Sequence, residues 1–132
     1  MHFYFVGLDV HKQWIAYCVM DAAGNILIEG KIRATRAALD DWLKTLPGPW
    51  RGAMEATLFS HWIFEHLRPH AIELKMGHPQ RMLAITAGKK SDRPDAETIA
   101  NLLRANLLPE CFVIEPELMG LRQQMRFRRT MI

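Results

Sequence analysis

The sequence predicts an α/β fold in which helices flank a mixed β-sheet. The first third of the chain holds three strand-like runs joined by short loops, the pattern of an antiparallel meander. Helix-like and strand-like segments then alternate, which places helices on the faces of the sheet. With 132 residues, of which 49% are hydrophobic and 23% charged, the chain has the composition expected of one globular domain.

The first three strands are predicted from apolar runs at residues 3–9, 14–20 and 26–32. A turn is expected between the last two runs, over the sequence Asp21-Ala22-Ala23-Gly24-Asn25. The short loops between the runs favour antiparallel neighbours.

The remaining elements follow from capping residues, helical periodicity and proline. Thr35 predicts the N-cap of a helix with Leu39 and Trp42 on its apolar face, and the sequence Pro47-Gly48-Pro49 ends it. Strands are expected at 50–54, 71–74 and 111–114; helices are expected from Thr57 or Ser60 to about Leu67, at 80–85, at 93–106 and from about 116. This order is typical of an RNase H-like domain, here assigned to residues 1–114, with a C-terminal linker helix over 115–132.

Charge and cysteine content suggest the compartment and the partner. The net charge of +3 and the isoelectric point near 9.1 favour a polyanionic partner. Cys18 and Cys111 lie in apolar segments without metal-type spacing, so both are expected to be buried free thiols in a reducing compartment. No signal peptide and no membrane-spanning run is evident, so a cytoplasmic location is expected.

Four acidic residues occupy three separate segments: Asp9, Glu55, Asp92 and Asp95. Asp9 and Glu55 end short apolar runs, where each acid can also be a turn or a helix-start residue. If Asp92 is an N-cap, Asp95 stands at N3, and the two residues approximate a capping box. Residues three apart also share one helix face, so capping and a joint binding role are compatible.

Clustering these acids would require a counter-charge. Two carboxylates about 5 Å apart repel by roughly 3 kcal/mol at an effective dielectric near 20. Mg²⁺ takes oxygen ligands and leaves room for a substrate phosphate, and a pair of ions can activate a nucleophile and stabilise a leaving oxygen. The acids therefore indicate a site for phosphodiester chemistry, provided that the fold brings the three segments together.

The motifs that contain these acids resemble those of a known family. They are Gly7-Leu8-Asp9-Val10-His11-Lys12, Met54-Glu55-Ala56-Thr57, His78-Pro79, Lys89-Lys90-Ser91-Asp92-Arg93-Pro94-Asp95-Ala96 and Leu102-Leu103-Arg104, followed by Leu121-Arg122 and Arg126-Phe127-Arg128-Arg129. Together they resemble the N-terminal domain of the DEDD transposases of IS110 insertion sequences. The resemblance covers essentially the whole chain.

The resemblance implies a RuvC-like, RNase H-like fold and a DNA substrate that is cut and rejoined during transposition. It implies that the four acids bind Mg²⁺ or Mn²⁺ and are the catalytic residues. It also implies a guide RNA as partner. The family adds a C-terminal domain with a nucleophilic serine, which is absent from this sequence, so complete recombination activity is not expected of these 132 residues alone.

Several basic residues are candidates for nucleic-acid contacts, with a solvated surface as the alternative for each. They are His11, Lys12, Lys89, Lys90, Arg93, Arg122, Arg126, Arg128 and Arg129. The last four lie in the predicted linker helix. Its apolar residues recur at intervals of three and four, as in a coiled coil, which also suggests a homo-oligomer, most simply a dimer.

Three other functions remain open on the sequence. The chain can be a non-catalytic module that binds nucleic acid or assists assembly, or a stand-alone resolvase of Holliday-type junctions with the same acids. A phosphotransferase of the actin type also begins with a strand that ends in Gly-x-Asp. It ranks low, because Val10-His11-Lys12 lacks the glycine and hydroxyl residues that approach phosphate closely.

Overall fold

The computed structural model describes residues 2–85 and 95–111. Within them, six strands form one sheet in the order β3-β2-β1-β4-β5-β6. The strands are β1 (Tyr4–Val10), β2 (Trp14–Met20), β3 (Ile26–Arg33), β4 (Trp50–Glu55), β5 (Glu73–Gly77) and β6 (Glu110–Cys111). The helices are α1 (Arg36–Leu43), α2 (His61–Leu67), α3 (Pro79–Ile85) and α4 (Ala96–Arg104), with a 3-10 turn at Arg68–His70.

The strand pairing gives the sheet an RNase H-like topology. β1, β2 and β3 pair antiparallel as a meander, while β4 lies parallel to β1 on its other side and β5 lies parallel to β4. The short β6 pairs antiparallel with β5. The predicted meander, the mixed sheet and the flanking helices are therefore confirmed.

The two faces of the sheet bury different sets of side chains. Alternate residues of β1, among them Val6 and Leu8, pack with Leu39 and Trp42 of α1 and with Ile63 of α2 in the larger core. This alternation follows from the pleat of a strand, in which successive side chains point to opposite faces. The opposite face of the sheet is covered by α4.

Helix α4 lies directly on the backbone of β1 at Gly7. A Cβ atom built at Gly7 would collide with the carbonyl oxygen of Ala96 and would lie 2.6 Å from the backbone nitrogen of Ala100. Both alanines are buried, and Cys18 and Met20 of the neighbouring strand complete this cluster. Only a residue without a side chain at position 7 allows the helix to approach so closely.

Side-chain hydrogen bonds cap the N-terminus of α1 and close the β2–β3 turn, as the sequence predicts. The Thr35 hydroxyl accepts the Ala38 N–H at 3.1 Å and so caps α1. The Asp21 carboxylate accepts the N–H groups of Ala23 and Asn25 at 3.0 and 2.9 Å. These bonds lower the pKa of Asp21, and Gly24 supplies the positive φ of 92° that the turn requires.

Some predicted boundaries differ from the structure. The strand expected at 71–74 is β5, Glu73–Gly77, because Pro69 continues α2 into a 3-10 turn and delays the strand. The helix expected at 93–106 begins at Ala96. The strand at 111–114 and the last helix lie mostly or wholly outside the described residues.

The predictions for the cysteines and for membrane segments have separate outcomes. Both cysteines are free, but only Cys18 is fully buried, whereas Cys111 is partly exposed. In the described part of the chain, no helix has the length and apolar character that crossing a membrane requires.

Substitution of Gly7 by alanine is expected to destabilise the fold by about 1–3 kcal/mol, because the added methyl group must displace the backbone of α4. Urea denaturation measures this loss. The matched control is Gly48→Ala, whose added Cβ meets only the Tyr4 ring, at 3.2 Å. Equal stabilities of the two variants would show that α4 does not need the close approach.

The Cys18 thiol is expected to make stability depend on pH in alkaline solution. Burial, together with the carboxylates of Glu29, Glu97 and Asp95, raises its pKa from 9.0 to about 11. A group whose folded-state pKa is raised contributes stability that is complete below pH 9 and is lost as the pH rises towards 11. Thermal unfolding from pH 7 to pH 11 should therefore show a shallower decline for Cys18→Ser than for the wild type; equal slopes would contradict the assignment.

Candidate active site

Asp9 and Glu55 occupy neighbouring register positions on two parallel strands. Leu8 of β1 pairs with Met54 of β4, so the next residue of each strand is one of these acids. Neighbouring strands lie about 4.8 Å apart. The two acids therefore stand side by side at the carboxyl ends of β1 and β4.

Both acids lie on the face of the sheet that α4 covers. Asp9 is two residues after Gly7, where a Cβ would point into α4, and Glu55 is two residues after Ala53, which packs against Ile99 of α4. Residues two apart along a strand share a face. Glu55 is buried, with 7% of its surface exposed, and the Asp9 side chain is 15% exposed.

The backbone under Glu55 is held from two sides. Glu55 pairs with Gly77 of β5, and the preceding residue, Met54, pairs with Leu8 of β1. The next N–H, of Ala56, donates to the Gly77 carbonyl at 3.0 Å. A carboxylate fixed on a central strand is positioned more closely than one on a loop.

Helix α4 runs antiparallel to β1 and brings its first residue to the same edge. Ala96 lies against Gly7, at the middle of β1, whereas Leu103 lies beside Phe3 and Phe5 at its beginning. The N-terminus of α4, with Asp95, therefore points towards the edge that carries Asp9. The Coulombic effect of Asp95 on the thiol of Cys18 agrees with this position.

Asp95 is the N-cap of α4, and its placement at N3 of a helix capped by Asp92 was wrong. Its backbone is extended, and its Oδ1 accepts the Thr98 N–H at 2.8 Å. The apolar periodicity of the helix begins only at Ala96, which is why the helix starts there. Asp92 lies outside the described residues.

An aromatic and basic stack lies next to Asp9. His11 Nε2 is 3.2 Å from Asp9 Oδ2, and the imidazole stacks on Trp14 with ring centroids 4.2 Å apart. The Lys31 ammonium lies 4.3 Å from the centroid of the Trp14 ring. When Nε2 carries its proton, the imidazole donates to Asp9, so the stack orients this carboxylate and also holds the Lys31 ammonium near it.

Trp14 and Lys31 were not singled out from the sequence. Trp42 and Trp50 are core residues, each 3% exposed, whereas Trp14 is 36% exposed. The contact between Lys31 and Trp14 follows from the β2–β3 register, which brings Lys31 opposite Ala16 and next to Trp14. Such cross-strand contacts depend on a register that single-strand patterns do not specify.

The carboxylates of the described acids suit a divalent cation, although they do not supply a complete set of ligands. Within residues 2–85 and 95–111, no group of three or more His, Cys, Asp or Glu side chains is placed to hold a metal ion. Mg²⁺ is commonly bound through one or two carboxylates, with water and substrate phosphate as the other ligands. Asp9 and Glu55 meet that requirement.

The predicted nucleic-acid residues are described only in part. Lys12 is exposed in the β1–β2 turn, and His11 is half-buried against Asp9. The others lie outside the described residues: Lys89, Lys90, Arg93, Arg122, Arg126, Arg128 and Arg129.

A second cleft, of about 400 Å³, lies at the opposite end of the sheet, where β1 and β4 begin. Arg51 and Lys75 both approach Glu73 there, at 3.3 and 3.7 Å. Because Glu73 pairs with both of these cations, this part of the cleft has the character of a structural salt-bridge network.

Comparison with known proteins identifies a family. A search of curated proteins found no match to this chain. The sequence profile of the DEDD transposases of IS110 elements, described as a transposase, matches residues 6–132. With the strand order and the two adjacent carboxylates, this match shows that the chain belongs to the IS110 family of DEDD transposases, whose enzymes recombine DNA.

Proposed function

We propose that this chain is the metal-dependent DNA-cleaving domain of its transposase. The observation that carries the proposal is the placement of Asp9 and Glu55 at adjacent register positions on one face of the sheet, at the edge reached by the N-terminus of α4. Carboxylates at such positions are suited to Mg²⁺ or Mn²⁺ and to a scissile phosphate.

The four acids have distinct tasks in this proposal. Asp9 and Glu55 hold the cation from the strands, while Asp92 and Asp95 complete the site from the segment that leads into α4. His11 keeps the Asp9 carboxylate oriented through its 3.2 Å contact. The bound cations would lower the barrier by activating the attacking water and stabilising the leaving oxygen of an in-line displacement.

Basic side chains position the nucleic acid around this edge. Lys12 and Lys31 lie on the β1–β2–β3 side of Asp9, where each can neutralise a phosphate. We propose the same role for Lys89, Lys90 and Arg93 and for the arginines of residues 115–132. The domain division after residue 114, the guide RNA, dimerisation through the last segment and a cytoplasmic location belong to the same proposal.

A non-catalytic binding or assembly module is the second candidate. It is favoured by the Asp95 carboxylate, which caps α4 instead of converging with two other described acids. A measurement of metal binding distinguishes the two functions, because a module that only binds nucleic acid does not need a cation held by acids from separate segments of the sequence.

Manganese binding is expected to depend on acids from different elements. In calorimetric titration, Asp9→Asn and Glu55→Gln should each weaken Mn²⁺ binding at least about tenfold, since each removes one anionic ligand from the same ion. Asp92→Asn tests the third segment. Asp41→Asn is the matched control, because Asp41 lies in α1, on the opposite face, with its side chain 82% exposed.

Equal weakening in the Asp41 variant would indicate diffuse binding of cations to surface acids. Unchanged binding in the Asp9 and Glu55 variants would contradict the proposed site. Thermal unfolding of each variant without metal shows whether the fold is retained.

Binding to duplex DNA is expected to lose part of its salt dependence when Lys12 is removed. A lysine that neutralises one phosphate contributes about 0.9 to the slope of log K against log salt, so Lys12→Ala should reduce the slope by about that amount. Lys44→Ala is the control, because Lys44 is 79% exposed at the end of α1. Fluorescence anisotropy at several salt concentrations measures both slopes, and identical slopes for the two variants would place Lys12 away from the DNA.

A further inference from the structure

The turn between β4 and α2 exposes two apolar side chains beside the acidic edge. Leu58 is 94% exposed and Phe59 is 39% exposed. Single exposed apolar residues are common on protein surfaces. These two are consecutive, however, and they follow Glu55 by only three and four residues.

This turn is held by hydrogen bonds at both ends. The Ser60 hydroxyl, which is fully buried, accepts the Thr57 N–H at 2.8 Å and donates to the Thr57 carbonyl at 3.0 Å. The Phe59 N–H donates to the Thr57 hydroxyl at 3.3 Å. Since Ala56 is bonded to β5 and Ser60 begins α2, the turn presents Leu58 to solvent in a defined position.

Chain geometry limits how far Leu58 can lie from the acids. Three residues span at most about 11 Å, so the Cα atom of Leu58 lies within that distance of the Cα atom of Glu55. Successive bases of one DNA strand are about 3.4 Å apart along the axis. The Cα atoms of Glu55 and Leu58 are therefore separated by no more than about three nucleotides of a bound strand.

We propose that Leu58, supported by Phe59, contacts an unstacked nucleobase of the DNA strand that is bound at the acids. The inference rests on the proposed function, and it assigns to this turn the recognition of unpaired or branched DNA. Apolar side chains that enter a base step unstack it, and exposed bases pack on apolar and aromatic side chains.

The size of the patch and the charge around it favour a base over a protein partner. Two side chains provide far less than the roughly 1,000 Å² of a specific protein interface. The ammonium groups of Lys12 and Lys31 lie at the same edge, on the other side of Asp9, which suits a strand whose backbone is anionic.

The test uses the 132-residue chain and a four-way DNA junction with 2-aminopurine placed, in turn, at each of the first four positions from the crossover. Titrations in Ca²⁺, which also takes oxygen ligands, should show a rise in fluorescence at one or two positions for the wild type. Leu58→Ala should remove this rise and weaken junction binding roughly five- to thirty-fold, as expected for losing the burial of a leucine side chain.

Leu107→Ala is the matched control, because Leu107 is 65% exposed and follows the C-terminal end of α4. It should behave as the wild type, and Leu58→Phe should restore the fluorescence rise. A fully paired duplex of the same sequence should bind equally to all these variants, which separates base contact from a general loss of affinity.

Fluorescence and junction affinity that are unchanged in Leu58→Ala overturn the inference, even if Asp9 and Glu55 prove to bind metal. Equal losses on junction and duplex also overturn it, because they show no selectivity for unstacked bases. If the Leu58 effects occur as expected while Asp9→Asn leaves Mn²⁺ binding unchanged, base recognition is supported and the metal-dependent function fails.

Discussion

The close contact between α4 and β1 at Gly7 is the constraint on which the arrangement of the acidic edge depends. Glycine lets the backbone of Ala96 and Ala100 rest on the strand, where any side chain would push the helix away. Because α4 runs antiparallel to β1, this contact fixes which end of the helix reaches Asp9. A helix displaced outwards would carry Asp95 away from the strands.

The register of β1 and β4 is the second constraint, and hydrophobic burial sets it. Val6 and Leu8 must face the core under α1 and α2, which leaves Asp9 on the opposite face. In β4, Met54 faces the same core, and Glu55 faces the opposite side with Asp9. A slip of one residue would expose the apolar set and bury the acids in the main core. The burial of apolar side chains therefore specifies the register that places the two carboxylates side by side.

The sequence predicted the fold well because its strongest signals are local. β2 was predicted at its observed bounds, and α1 begins after the Thr35 cap. The start of α4 was predicted too early, since Asp92 and Asp95 are both good caps and the apolar periodicity begins only after the second of them. The Trp14–Lys31 contact depends on strand register, and Leu58 was overlooked because exposure of one leucine leaves no pattern in a sequence.

The capping role of Asp95 is compatible with metal binding. A carboxylate offers about four lone-pair positions on two oxygens, and the bond from the Thr98 N–H occupies one of them. The cap holds the side chain in one orientation at the helix terminus before a cation arrives, which reduces the entropy that binding must remove. Asp9 has a comparable restraint from His11. Asp9 and Asp95 are therefore each oriented by an interaction within their own segment. The contact at Gly7 brings the N-terminus of α4 towards the edge that carries Asp9.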